Sequence, residues 1–178
     1  MNLPNKLSLL RMALIPVLVA LMYPGTPVCS GLATAVFAVA AFTDFLDGHI
    51  ARKQGIVTDF GKFMDPVADK LLNLSAMIML IHQGVMPAWV VVVILARELC
   101  VDGLRMVAVG HGQVIAAGKL GKIKTVSQIV LILWLMVSRQ PVMGHWLSGL
   151  LALWVVVITL WSGVDYFRKN GACLRDAK

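Results

Sequence analysis

Acidic residues are scarce in this sequence: nine Asp and Glu stand against sixteen Lys and Arg, and charged residues of all kinds make up 14% of 178. So small a polar complement cannot clothe a water-soluble domain of this length. Cysteine is equally sparse. Cys29, Cys100 and Cys173 are widely spaced with no C-x-x-C pair, which excludes a disulfide framework and a zinc site. The four histidines, His49, His82, His111 and His145, show no ligand spacing and are assigned no chemistry. Internal repeats and low-complexity tracts are also lacking, so one domain over residues 1–178 is the simplest organisation.

What the chain has in quantity is apolar length: 59% of its residues are hydrophobic and its mean hydropathy is +0.83. Six apolar stretches can be marked, Met12–Tyr23, Val28–Thr43, Leu71–Ile81, Val85–Ala96, Val126–Val137 and Trp146–Trp161. Several fall short of the ~20 residues a bilayer-spanning helix needs, so each must recruit partly polar flanks. Polar residues therefore sit at membrane depth, where they become functional candidates. Turn signals separate the stretches: Pro24, Gly25 and Pro27, then Gly84 and Pro87, then Pro141 and Gly144.

Charge orients the chain. Tyr23–Ser30 and His82–Met86 carry no Lys or Arg and Ser138–His145 only Arg139, whereas Lys6, Arg11, Arg52, Lys53, Lys119, Lys122, Lys124, Arg168, Lys169, Arg175 and Lys178 fall on the other side. The positive-inside rule then predicts an all-α, polytopic membrane protein with six transmembrane helices and both termini cytoplasmic. Lys6 and Arg11 ahead of Met12–Tyr23 imitate a secretory signal, but the expectation is a retained first helix. The net charge of +7 suits membrane lipids and phosphate-bearing substrates, and nucleic acid is not an expected partner.

The informative segment is Asp44-Phe-Leu-Asp47-Gly48-His-Ile-Ala51-Arg52, followed after eight residues by Gly61, then Asp65 and Asp69 at four-residue steps. On a helix, Asp44, Asp47, Gly48 and Ala51 share one face, and Thr58, Gly61, Asp65 and Asp69 make a second such stripe. Four carboxylates side by side in a low-dielectric setting need compensating cations. All-oxygen ligands select a hard ion, Mg²⁺ or Mn²⁺ before zinc, and two such ions ~4 Å apart can clamp a phosphoryl group. Gly48, Ala51 and Gly61 permit close approach of a nucleotide, and Arg52 is placed to pair with a diphosphate. For each of these residues alone, helix packing or interface anchoring is an equally good account. A divalent-cation transporter would also use intramembrane aspartates, but these cluster toward one face beside Arg52 and no acidic chain continues through the bilayer.

The pattern D-x2-D-G-x2-A-R-x8-G-x3-D-x3-D resembles the signature of the CDP-alcohol phosphotransferases, and every position is matched. The resemblance implies that Asp44, Asp47 and Asp65 hold one divalent metal, that Asp44, Asp65 and Asp69 hold a second, and that Asp69 is also the general base. It further implies six transmembrane helices and a homodimer. The CDP-lipid would meet Gly48, Ala51, Arg52, Thr58 and Gly61, with Asn5, Ser8 and Arg11 closing the nucleotide pocket unless they serve only as an N-cap and anchors.

Within that family the chain is similar to the bacterial phosphatidylglycerophosphate synthase branch. The similarity includes Asn2-Leu3-Pro4-Asn5, Asp65-Pro66-Val67-Ala68-Asp69-Lys70, Ala96-Arg97-Glu98, Gly121-Lys122-Ile123-Lys124-Thr125 and Ser162-Gly163-Val164-Asp165-Tyr166. The implied donor is CDP-diacylglycerol, the acceptor sn-glycerol 3-phosphate, and the place a bacterial cell (inner or plasma) membrane with a cytoplasmic active site. A phosphorylated acceptor calls for cations, and Arg105, Lys122 and Lys124 are the candidates, beside Lys119. An ion pair of Arg105 with Asp102 on the same helix is the structural alternative. Met106 stands where relatives often carry Glu after the arginine. Other acceptors, namely inositol phosphate, serine or phosphatidylglycerol, remain open to the same chemistry.

Overall fold

The computed structural model describes the backbone of residues 3–54, 59–110 and 118–170, and the side chains of residues 9–43, 67–110 and 118–170. The described residues form six helices and no strand: α1 (Leu3–Met22), α2 (Pro27–Gln54), α3 (Asp59–His82), α4 (Ala88–Gly110), α5 (Lys119–Ser138) and α6 (Trp146–Asn170). Each contains most of one expected apolar stretch and runs past it into polar sequence. Two, α5 and α6, are long and apolar enough to cross a membrane. The described side chains of α1 and α2 form apolar stretches over Leu9–Met22 and Pro27–Thr43, while α4 carries Arg97, Glu98, Asp102 and Arg105 within its span.

Two compact units divide the chain, residues 1–86 with 132–141 and residues 87–131 with 142–178. In the first, α1 packs on both α2 and α3, and α2 also meets α3. Leu18, Ala33, Phe37, Ala68, Ala76 and Leu80 are fully buried there. Ala33, Phe37 and Ala40 recur at i, i+4 and i+7 as one inward face of α2, while Leu32, Val39 and Phe42 are exposed on the other. Apolar residues on both faces are what a helix bordered by protein on one side and lipid on the other requires. In the second unit α4 packs on α6. Val101 and Leu104 of α4 bury against Tyr166 of α6, with Phe167 alongside.

The turns of the first unit explain where its helices stop. Gly84 adopts φ +71°, and its N–H donates to the Ile81 carbonyl while Val85 N–H donates to Leu80, a pairing that satisfies the last carbonyls of α3. Gln83 turns its Nε2 onto the Met22 carbonyl at 2.6 Å and so caps α1. Gly25 is also left-handed, and Thr26 caps α2 by accepting the Cys29 N–H on its Oγ1. After α5 the left-handed residue is Arg139, at φ +54°, not Gly144. Its backbone strain is offset by a charge-assisted bond from Nη2 to the Gly25 carbonyl, a partner 114 residues away.

Candidate functional site

The backbone of α2 and α3 sets the levels of the four aspartates. Asp44 lies ten residues before the end of α2 and Asp69 ten after the start of α3, while Asp47 and Asp65 lie seven and six residues from the same ends. At about 1.5 Å per residue, Asp44 and Asp69 stand about 15 Å from the connection and Asp47 and Asp65 about 10 Å. Four residues join the two helices, which contact one another within one unit, as expected of antiparallel neighbours. Asp44, Asp47, Gly48 and Ala51 therefore fall on one continuous helix, and Gly61, Asp65 and Asp69 on the next, with the aspartates at matching levels. The side chains of Asp44, Asp47, Gly48, Ala51, Arg52, Gly61 and Asp65, and of Asn5 and Ser8, lie outside the described residues, as does Thr58 altogether.

Asp69 is the one carboxylate of the four whose side chain is described, and it is half-buried. Asn73, one turn further along α3, donates from Nδ2 to both Asp69 Oδ1 and the Asp69 carbonyl, each at 3.1 Å. No group of three His, Cys, Asp or Glu able to hold a metal occurs among the described residues, which include only one member of the proposed set. The chemistry of that set, four carboxylates on two adjoining helices at two matched levels, fits hard divalent cations.

The second unit holds a different polar cluster. Lys124 of α5 is buried, and its Nζ pairs with Glu98 Oε1 of α4. Arg97 Nη1 lies 3.6 Å from the same carboxylate oxygen, and Arg97 Nη2 donates to Ser162 Oγ of α6 at 2.8 Å. Gly163 gives room to the arginine's aliphatic stem: a Cβ there would come within 3.1 Å of Arg97 Cγ, which would have to give by a few tenths of an ångström, whereas one on Gly121 would make only ordinary contact, 3.9 Å from Nη2. Further along α4, Arg105 Nε donates to the Tyr166 hydroxyl at 2.9 Å, with its guanidinium carbon 5.5 Å from the ring centroid. Of the expected acceptor-site cations, Lys124 and Arg105 are thus held by α4–α5 and α4–α6 contacts, whereas Lys122 and Lys119 are exposed.

Three separate sequence segments, 96–98, 121–125 and 162–166, converge in this cluster. Glu98, Arg97, Ser162 and Tyr166 had no assigned role in the sequence reading, and neither had Asn73. The available signal was a charged or amide residue inside a helix otherwise built for lipid.

The family model for CDP-alcohol phosphatidyltransferase matches residues 1–161. The chain belongs to that family. Among curated transferases of this kind, a Bacillus subtilis protein named CDP-diacylglycerol–glycerol-3-phosphate 3-phosphatidyltransferase is 43% identical over 98% of this chain and 97% of its own length. A Mycobacterium tuberculosis protein named probable phosphatidylglycerophosphate synthase is 42% identical over 98% of this chain and 83% of its own. A Shigella flexneri protein with the same name as the Bacillus one is 36% identical over 98% of both. The family match spans α1 to α5 and most of α6, and so includes both the carboxylate segment and the Arg97–Glu98–Lys124 cluster.

Proposed function

We propose that this chain transfers the phosphatidyl group of CDP-diacylglycerol to sn-glycerol 3-phosphate, giving phosphatidylglycerophosphate and CMP in acidic phospholipid synthesis. The observation that carries the reading is end-to-end similarity to relatives whose names state that reaction. Residues 1–178 act as one transferase domain with six membrane spans and cytoplasmic termini, in the inner or plasma membrane of a bacterium, as a homodimer. Alternating basic and uncharged connections support that orientation.

Asp44, Asp47 and Asp65 would hold one Mg²⁺ or Mn²⁺ and Asp44, Asp65 and Asp69 the other. When bound, the ions neutralise the diphosphate and stabilise charge developing on its oxygens. Arg52 pairs with the same diphosphate, while Gly48, Ala51, Thr58 and Gly61, with Asn5 and Ser8, admit the CDP moiety. Asp69 takes the proton from the acceptor hydroxyl, whose oxygen bonds to the β-phosphorus as the bond to the CMP oxygen breaks and its electron pair leaves with CMP. Arg105, Lys122 and Lys124 bind the acceptor phosphate. The support for Lys124 is its burial beside Arg97, the two cations approaching the same Glu98 carboxylate oxygen.

One assay tests reaction and orientation together. CMP release from CDP-diacylglycerol is followed in sealed membrane vesicles offered sn-glycerol 3-phosphate, inositol phosphate, serine or phosphatidylglycerol. Release is expected with glycerol 3-phosphate alone, in inverted vesicles, and in right-side-out vesicles only after opening. A different productive acceptor overturns the substrate assignment, and full activity in sealed right-side-out vesicles overturns the topology.

A further inference from the structure

Asn73 sits in the middle of α3, 7% exposed, among Leu72, Ala76, Met77 and Leu80, none of which is more than 1% exposed. An apolar side chain would suit those neighbours. The amide instead leaves its Oδ1 buried with no hydrogen-bond partner among the described residues, a cost that packing does not explain. What the amide obtains is Asp69. Its nitrogen reaches the Asp69 carbonyl and Asp69 Oδ1 at the same 3.1 Å. Both targets are acceptors, so the nitrogen and not the oxygen must face them, which fixes the amide's orientation. One hydrogen ties the amide to the helix backbone, and the second is then aimed at the carboxylate.

We propose that Asn73 is a positioning residue for the Asp69 carboxylate, a backbone-anchored amide that locks its rotamer and leaves it oriented for metal and acceptor hydroxyl. The inference rests on the assignment of Asp69 as metal ligand and base. Neither the signature nor the acceptor-site basic residues include position 73. An amide donating to a ligating carboxylate stabilises its charged form and narrows its range of orientations, which is the role outer-shell partners play at metal sites.

The test uses full-length protein purified in detergent, with Mn²⁺ binding read directly by electron paramagnetic resonance beside steady-state kinetics. Asn73→Leu removes both hydrogen bonds without altering helix or lipid compatibility. Asn73→Thr keeps a hydroxyl for the Asp69 carbonyl but, having one hydrogen, supplies none to the carboxylate. Both variants are expected to bind Mn²⁺ about ten- to a hundredfold more weakly and to lose kcat by a similar factor. KM for glycerol 3-phosphate should stay within about twofold of the unmodified protein. Mn²⁺ affinity and kcat both within about twofold of the unmodified protein overturn the proposal, and if Asn73→Leu does not fold, Asn73→Thr decides by the same criterion. Asp69→Asn separates the two readings. If it loses metal and activity while the Asn73 variants do not, this inference alone fails. If Asp69→Asn retains both, the assignment beneath it fails.

Discussion

The aspartates of the first unit come from one helix–turn–helix segment, residues 44–69, whereas the cationic cluster of the second is gathered from three helices with partners up to 65 residues apart. The first is a set of like charges on neighbouring helices, for which bound divalent cations are the proposed compensation. In the second, Glu98 is set between Lys124 and Arg97, so much of the charge is already compensated by protein. A site of the first kind depends on its ligand for electrostatic balance. One of the second kind is preorganised, and part of its charge is spent on holding helices together.

Breaking the first region should have the largest effect. Asp65→Asn is expected to abolish phosphatidyl transfer in a CMP-release assay while leaving membrane insertion intact, because an amide cannot supply the charge that retains the metals. Substantial activity in purified Asp65→Asn would remove the basis of the contrast.

The second region calls for a finer cut, since Lys124 can serve substrate, structure or both. Lys124→Met is expected to raise KM for glycerol 3-phosphate about ten- to a hundredfold, in keeping with ~1.5–3 kcal/mol for a charge-assisted contact, with KM for CDP-diacylglycerol little changed. It should also destabilise the protein by leaving the half-buried Glu98 beside fewer cations. Adding Glu98→Gln to Lys124→Met should recover thermal stability but not KM. Recovery of both would make the pair a helix fastener and nothing more.

The smallest effect is expected far from either cluster, at Arg139. Arg139→Ala loses the bond to Gly25 and keeps the strained backbone, so it should cost about 1–2 kcal/mol in thermal unfolding with kinetics unchanged. Arg139→Gly removes the strain as well, and should be less destabilised by about 1 kcal/mol. A change in KM at either variant would deny that this turn is only structural.

The same contrast explains what could be read in the sequence. The six helices announced themselves by apolar length, and the aspartate stripes by spacing within a single segment, because both are local properties. Helix ends were less legible. The apolar stretch Val85–Ala96 stops at the first charge, yet α4 runs from Ala88 to Gly110, carrying Arg97, Glu98 and Arg105 on partners supplied by α5 and α6. Hydropathy along one chain cannot register a charge neutralised by another helix. The third turn falls where Pro141 and Gly144 signal it, but its left-handed residue is Arg139, held there with the help of a carbonyl 114 positions earlier, which no local signal could mark. Asn73 was not marked for the opposite reason: it lies just past the signature, a lone amide with no spacing to set it apart from the helix around it.

The charges of α4 have a consequence for biogenesis. A single Arg or Lys at the centre of an inserting helix costs ~2.5–3.5 kcal/mol, and α4 brings two arginines and two acids. Arg97 and Glu98 can pair within α4, but their partners on other helices are made later: Lys124 follows Glu98 by 26 residues, and Ser162 follows Arg97 by 65. At roughly 5–20 residues per second, the ribosome takes about 3–13 s to supply Ser162 once Arg97 has been added. Under the proposed six-span topology α4 is a poor solute for lipid through that interval, and its release from the insertion machinery is best timed to the arrival of α5 and α6, with the carboxy-terminal half of the chain acting as a cotranslational chaperone for its middle.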